Sequence, residues 1–279
     1  MKLYTLGHYN TLRIKEFCEH GILLDAGDGE TILMPRKYVE DHLRLGDEVK
    51  VFIYLDQEDR LVATTEHALA EVGEFAFLRV SWTNRYGAFL NWGLTKDLFV
   101  PFREQRRRMV KDAAYMVYIY IDERTRRIVA TTRLDGYVQM EAEGYHAGQE
   151  VSIQIWKPTD IGYKVIVDGR YGGLVYRNEV FRLVHVGDKM KAIVKNVRPD
   201  GRLDIALQKS GAALVEDFSQ QLLKALQEAQ DHFLPFTDKS PSEEITTQFS
   251  VSKKTFKKAV GALYKHHLIV LEEEGIRLV

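Results

Sequence analysis

Arg103, Arg106, Arg107, Arg108 and Lys111 place five cations within nine residues, and Lys253, Lys254, Lys257 and Lys258 place four within six. Such groups neutralise phosphates, and a polyanion held by them binds with a steep dependence on salt. A solvated surface is built from the same residues, and both readings stand for each cluster. Groups that make or break covalent bonds have no comparable setting. The chain has no P-loop, GxSxG, HExxH or Rossmann fingerprint. His266-His267 has no ligand partners at useful spacing, and Cys18, the single cysteine, supports neither a disulfide framework nor a CxxC zinc site. The expectation is a binding protein with no catalytic activity, no metal and no other cofactor.

Charge is distributed unevenly along the 279 residues, although the formal net charge is only -1. Lys and Arg stand against Asp and Glu as 8 to 13 over residues 1–66, 12 to 7 over 67–134, 11 to 7 over 147–210 and 8 to 10 over 211–279. A polyanion is thus expected to avoid the first stretch and favour the two middle ones. The opening MKLYTLGHYN has no apolar signal region. The longest apolar run, Tyr115 to Ile121, falls far short of the ~20 residues that cross a bilayer. A lone thiol fits a reducing compartment. A soluble, cytoplasmic protein without a membrane partner is expected.

The elements that would position these side chains repeat. Val62-Ala63-Thr64-Thr65 returns as Val129-Ala130-Thr131-Thr132, and each follows a strand-like run, Val49 to Leu55 and Tyr115 to Ile121. A third copy runs Met190 to Val194 and Arg202 to Leu207. Polar turns join the members of each pair, a hairpin pattern. Upstream, each copy has another hairpin that begins at a glycine (Gly21, Gly87, Gly162). It resumes eleven residues later with Ile32-Leu33-Met34, Leu98-Phe99-Val100 or Gly173-Leu174-Val175. Five short strands in ~60–70 residues bury a core by closing into a small barrel, most commonly an OB-fold. The glycine suits a bulge or a tight barrel corner.

Tyr86-Gly87-Ala88-Phe89-Leu90, the Gly173-Leu174-Val175 strand and the closing Gly201-Arg202-Leu203-Asp204-Ile205-Ala206-Leu207 strand resemble the S1 RNA-binding domain family. The resemblance implies that the second copy displays Tyr86 and Phe89 at stacking positions, with Asp122 and Arg127 on its last hairpin. Pro101 departs from the residue, often His, that the family carries after its third strand. The third copy has Tyr176 there and Arg198 and Arg202 on the last hairpin, but Ile161 and Lys164 where aromatics are expected. The first copy has His20, Leu23, Asp56 and Arg60 and is the poorest platform. Rings stack on unpaired bases at ~1–3 kcal/mol each while cations follow the phosphates. Phe89 is also a plausible core side chain. Strand alternation puts Tyr86 and Phe89 on opposite faces, so a bulge at Gly87 is needed to bring both outward.

After Gly211 the apolar period becomes helical: Leu214, Phe218, Leu222, Ala225, Leu226 and Ala229, with Pro235 as its stop. Ser240-Pro241-Ser242-Glu243 reads as a capping box opening a short helix to about Phe249. Ser252 caps another helix, which buries Phe256, Val260, Leu263 and Tyr264 and presents Lys253, Lys254, Lys257 and Lys258. Two strands, Leu268 to Leu271 and Ile276 to Val279, close a winged helix. Glu272, Glu273 and Glu274 at the wing are poor phosphate contacts.

The expected fold is multidomain and mainly β. Three tandem OB-fold (S1-like) barrels occupy 1–66, 67–134 and 145–210, and an α+β winged-helix domain occupies 214–279. This order resembles the bacterial conserved virulence regulatory factor B family. The resemblance implies an RNA-binding regulator of gene expression, with single-stranded RNA as partner. A winged-helix regulator that binds DNA and a protein-interaction adaptor are the alternatives.

Overall fold

Alternation with a period of two dominates the chain up to residue 207, and it closes barrels. The computed structural model describes residues 1–180, 183–207 and 212–279. They fall into two compact units, Met1–Val138 and Gln139–Val279. The first unit holds two barrels. One is made of β1 (Tyr9–Cys18), β2 (Gly21–Gly27), β3 (Glu30–Pro35), β4 (Glu48–Leu55) and β5 (Leu61–Thr64). The other is made of β6 (Phe75–Thr83), β7 (Gly87–Asn91), β8 (Leu98–Pro101), β9 (Ala114–Ile121) and β10 (Ile128–Thr131). The second unit starts with a third barrel, β11 (Glu150–Thr159), β12 (Gly162–Val167), β13 (Tyr171–Tyr176), β14 (Lys189–Val197) and β15 (Leu203–Ala206). The expected end of this barrel, residue 210, lies outside the described residues.

All three barrels are closed and share one topology. The first strand pairs with the second and fourth, and the third pairs in parallel with the fifth. Alternate residues point inward wherever a strand is regular, as Leu12, Ile14, Ile22 and Leu24 do in the first barrel and Leu78, Val80, Ala88 and Leu90 in the second.

The glycine that opens each second strand has a different task from the one expected. The bulge is not at Gly87. In every barrel it lies on the first strand, between Ile14 and Glu16, Val80 and Trp82, and Ile155 and Lys157. The glycine is required because a third-strand carbonyl occupies the space of a Cβ: Met34 O at Gly21, Val100 O at Gly87 and Val175 O at Gly162. Nor does Tyr86 lie in a strand. It sits in the turn before β7, where Asn84 Oδ1 accepts from the N–H groups of Tyr86 (2.8 Å) and Gly87 (3.2 Å). Strand alternation therefore does not govern it.

The two barrels of the first unit share an apolar seam. Phe52, Tyr54 and Val62 point out of the first barrel and are buried with Trp92 and Leu94 of the second. Phe52 and Trp92 meet edge to face, with centroids 5.7 Å apart. Trp92 Nε1 donates to the Lys96 carbonyl at 2.6 Å. Glu66 accepts the Thr95 N–H at 2.8 Å. Burial raises the Glu66 pKa, but the Thr95 hydrogen bonds outweigh it and hold the carboxyl below its ordinary value.

In the second unit, α1 (Ala212–Glu228), β16 (Phe233–Leu234), α2 (Ser242–Phe249), α3 (Lys253–Lys265), β17 (Ile269–Leu271) and β18 (Ile276–Leu278) form a winged helix. Phe218, Leu222, Ile245, Phe256 and Leu263 are at its core. Several local expectations need correction. α1 ends at Glu228, well before Pro235, and β16 intervenes and pairs with β18. Pro241, not Ser240, is the N-cap of α2, which has no side-chain cap. The Ser240 hydroxyl instead accepts the Thr237 N–H at 2.9 Å. Tyr264 is 52% exposed rather than buried. Ser252 does cap α3, accepting the Thr255 N–H at 3.1 Å. Among the described residues, no helix is long and apolar enough to cross a membrane.

Candidate nucleic-acid interface

Strand register puts equivalent residues of the three barrels in corresponding rows. From the bulged first strand across the second and third, these are Glu16–Leu23–Leu33, Trp82–Phe89–Phe99 and Lys157–Lys164–Leu174. The same place is thus acidic and aliphatic in the first barrel, aromatic in the second and cationic in the third.

The aromatic row is ordered by stacking. The Trp82 and Phe89 rings are 3.7 Å apart and within 3° of parallel, and Phe89 and Phe99 lie 4.9 Å apart. Phe89 is therefore enclosed between two rings, and the ring with an open face is Trp82, which is 44% exposed. Trp82 Nε1 donates to Asp97 Oδ2 at 2.9 Å, and the Ser81 hydroxyl donates to Asp97 Oδ1 at 3.0 Å. These bonds fix the indole plane. Tyr86 is 59% exposed, and the Arg85 guanidinium lies 4.8 Å from its ring centre. Trp82, Tyr86, Phe89, Trp92, Lys96, Phe99 and Arg127 line one cavity of about 800 Å³, together with Tyr54, Gln57 and Asp59 of the first barrel. Its apolar walls and few cations suit a stacked base and its phosphate.

The other expected residues of this barrel lie elsewhere or are already engaged. Asp122 is 7% exposed. It accepts the N–H and hydroxyl of Thr125 at 2.8 and 2.9 Å and an Arg103 N–H at 2.6 Å. The Thr125 bonds hold its carboxyl below the usual carboxylate range. Asp122 organises its turn and directs no free charge outward. Arg106, Arg107 and Arg108 follow the short 3-10 turn Phe102–Glu104 and do not line the cavity. Arg106 pairs with Asp135, and Arg108 lies over the Phe102 ring at 4.0 Å. Arg107 and Lys111 make no ion pair among the described residues.

On the third barrel, Lys164, Tyr176, Arg198 and Arg202 do converge. They line a cavity of about 380 Å³ with Trp156, Ile161 and Gly173. Arg198 donates to Asp204 Oδ1 from Nε and Nη2 (2.9 and 2.7 Å) and to the Tyr176 hydroxyl (2.6 Å). The Asp204 bonds raise the Arg198 pKa further, so the guanidinium keeps its charge and its orientation. Lys157 and Lys164 stand 4.4 and 5.6 Å from the Trp156 ring centre. Arg202 Nε is 3.5 Å from Asp200.

The lysines of α3 divide. Lys253 donates to the Lys239 carbonyl at 3.3 Å, and Lys257 lies 3.6 Å from Asp238. Lys254 and Lys258 are exposed and make no ion pair among the described residues. At the wing, Arg277 Nε donates to Glu272 at 2.5 Å. This bond holds the Glu272 carboxyl below its ordinary value.

Trp82, Phe99, Lys96 and Trp156 were not anticipated from the sequence. Alternation continued through β6 places Trp82 inward with Val80, and only the bulge at Ser81 turns it out. A signal was present in the repeat itself: polar Glu16 and Lys157 occupy the equivalent sites, where an inward side chain would be apolar.

Comparison with known proteins agrees with this architecture. The S1 domain family matches residues 6–66, and the CvfB-like winged helix domain matches residues 220–278. The S1 match falls on the first barrel, whose interior is regular but whose outer row lacks rings. Conserved virulence factor B of Staphylococcus saprophyticus is 25% identical over 266 residues, covering 91% of this chain and 88% of that one. The protein of the same name from Staphylococcus aureus strain MRSA252 is 25% identical over 267 residues, covering 92% and 88%. The uncharacterized protein YitL of Bacillus subtilis is 25% identical over 276 residues, covering 95% and 91%. A crystal structure of a multidomain protein with nucleic acid binding domains from Streptococcus pneumoniae is 22% identical, with a TM-score of 0.44 over 98% of both chains. The chain is thus similar to an S1 domain at one end and to a CvfB-like winged helix at the other, and along nine-tenths of its length to relatives named conserved virulence factor B.

Proposed function

We propose that the protein is a non-catalytic, cytoplasmic regulator of bacterial gene expression that binds single-stranded RNA. The observation that carries this reading is the Trp82–Phe89–Phe99 stack, which shares a cavity with Lys96 and Arg127. An open indole face takes an unpaired base of any sequence, and the adjacent cations suit the phosphate chain. Bases inside a duplex present no free face to such a ring. Lys164, Tyr176, Arg198 and Arg202 give the third barrel a cationic site for the same strand chemistry. The first barrel contributes a wall rather than a binding row.

Filter binding of the full chain to single-stranded RNA, single-stranded DNA and duplex DNA at matched length tests the reading. Single-stranded RNA is expected to bind most tightly, with affinity falling steeply as salt rises. Tighter binding to duplex DNA would reject it. The free lysines of α3 support a second reading, in which the winged helix contacts duplex DNA. The acidic wing weighs against it, because wing and helix would meet phosphates of the same duplex. Lys254→Ala with Lys258→Ala is therefore expected to leave single-stranded RNA affinity within about twofold of the parent. A larger loss would assign that helix to the RNA site.

A further inference from the structure

The cavity beside the aromatic row has an acidic wall. β4 and β5 of the first barrel are joined by a tight turn in which Asp56 Oδ1 accepts the N–H groups of Glu58 (2.9 Å) and Arg60 (3.0 Å). The turn holds Asp59 in the left-handed region, with φ of +62°. The Asp59 carboxylate accepts Arg127 Nε at 3.1 Å, is paired with Arg127 Nη2, and lies 4.0 Å from Lys96 Nζ. Both cations belong to the second barrel and line the cavity with Trp82. Burial draws the Lys96 ammonium below its ordinary pKa and Asp59 opposes that shift, so the acid helps keep the site charged.

A carboxylate gripped by an arginine and flanked by a lysine presents the oxygens and charge of a phosphate. We propose that the Asp59 turn is a built-in competitor for a backbone phosphate. It occupies the Arg127–Lys96 seat in the free protein and yields it when an unpaired strand stacks on Trp82. This inference rests on the single-stranded RNA reading. With side chains 57% and 37% exposed, the pair is weak, and such pairs hold by a factor of about two to five. A phosphate tethered to a stacked base overcomes that factor, whereas a free anion brings no stacking energy. The turn thus favours polynucleotides over the small anions of the cell.

Asp59→Asn tests the competitor, because Asn tolerates the left-handed backbone and lacks the charge. The full-length variant is expected to bind a uridine dodecamer RNA about two- to fivefold more tightly than the parent at low salt. The slope of log affinity against log salt should stay within about 0.7 of the parent's, the value for one phosphate on a single strand, because the same phosphates are neutralised in both complexes. Glu58→Gln removes a charge from the same turn, where Glu58 pairs with Arg60, and should leave the affinity unchanged. In an Arg127→Gln background, Asp59→Asn should bring no gain. An unchanged Asp59→Asn, an equal gain from Glu58→Gln, or a gain that persists without Arg127 would each overturn the competitor. If the parent binds and Asp59→Asn merely matches it, the RNA reading survives. If neither binds the dodecamer, both inferences fall.

Discussion

Trp82→Ala is expected to weaken single-stranded RNA binding about ten- to a hundredfold, the range that one base–ring stack commands. The expectation rests on which ring has a free face. Phe89 is covered by Trp82 on one side and approached by Phe99 on the other, whereas the outer face of Trp82 meets the cavity. Tyr86→Ala should cost less, because that ring stands on a turn with Arg85 already against it. Phe89→Ala should reduce stability as well as affinity, since it removes the middle of the stack. Anisotropy titrations with a fluorescent oligonucleotide, paired with urea denaturation, separate the two effects. Parental affinity in Trp82→Ala would remove the aromatic row from the binding site.

Gly87→Ala should destabilise the second barrel by about 2–4 kcal/mol, at the upper end of what a single methyl does. The added Cβ collides with the Val100 carbonyl oxygen and comes within 2.8 Å of Phe99 Cε2. A side chain at its far end can turn aside, but this carbonyl is backbone of β8, paired with β7 along Gly87 to Leu90. Relief requires opening the ladder that positions Phe99. Gly136→Ala is the control: nothing lies within 4 Å of its Cβ site, and a change within about 0.5 kcal/mol is expected. Urea unfolding of the two variants decides the matter, and a Gly87→Ala midpoint equal to that of the control would refute the close-packing argument.

Much of the architecture was legible in the sequence because a small barrel demands regular spacing. The glycine and the apolar trio eleven residues after it fix two strands of each copy, and Val-Ala-Thr-Thr marks the fifth strand in two of them. The interface was less legible, for identifiable reasons. Tyr86 belongs to an Asn84 turn, so arguments from strand period did not apply to it. Trp82 was hidden by a bulge that no single-copy pattern announces. Asp122 and Arg127 are charged in any sequence reading, and only coordinates separate a carboxylate closed on Thr125 from a guanidinium held across the cavity by Asp59. β16 is two residues long, too short for any periodicity to register.

The extra residue on the first strand of each barrel has a consequence for how the copies differ. It turns one side chain out of the interior at the same point in each copy, so that position is released from the demands of the barrel core. Repeated barrels can therefore carry different chemistry at this point, and Glu16, Trp82 and Lys157 are the residues that stand there. A single substitution there changes the outward chemistry of one module without entering its barrel core.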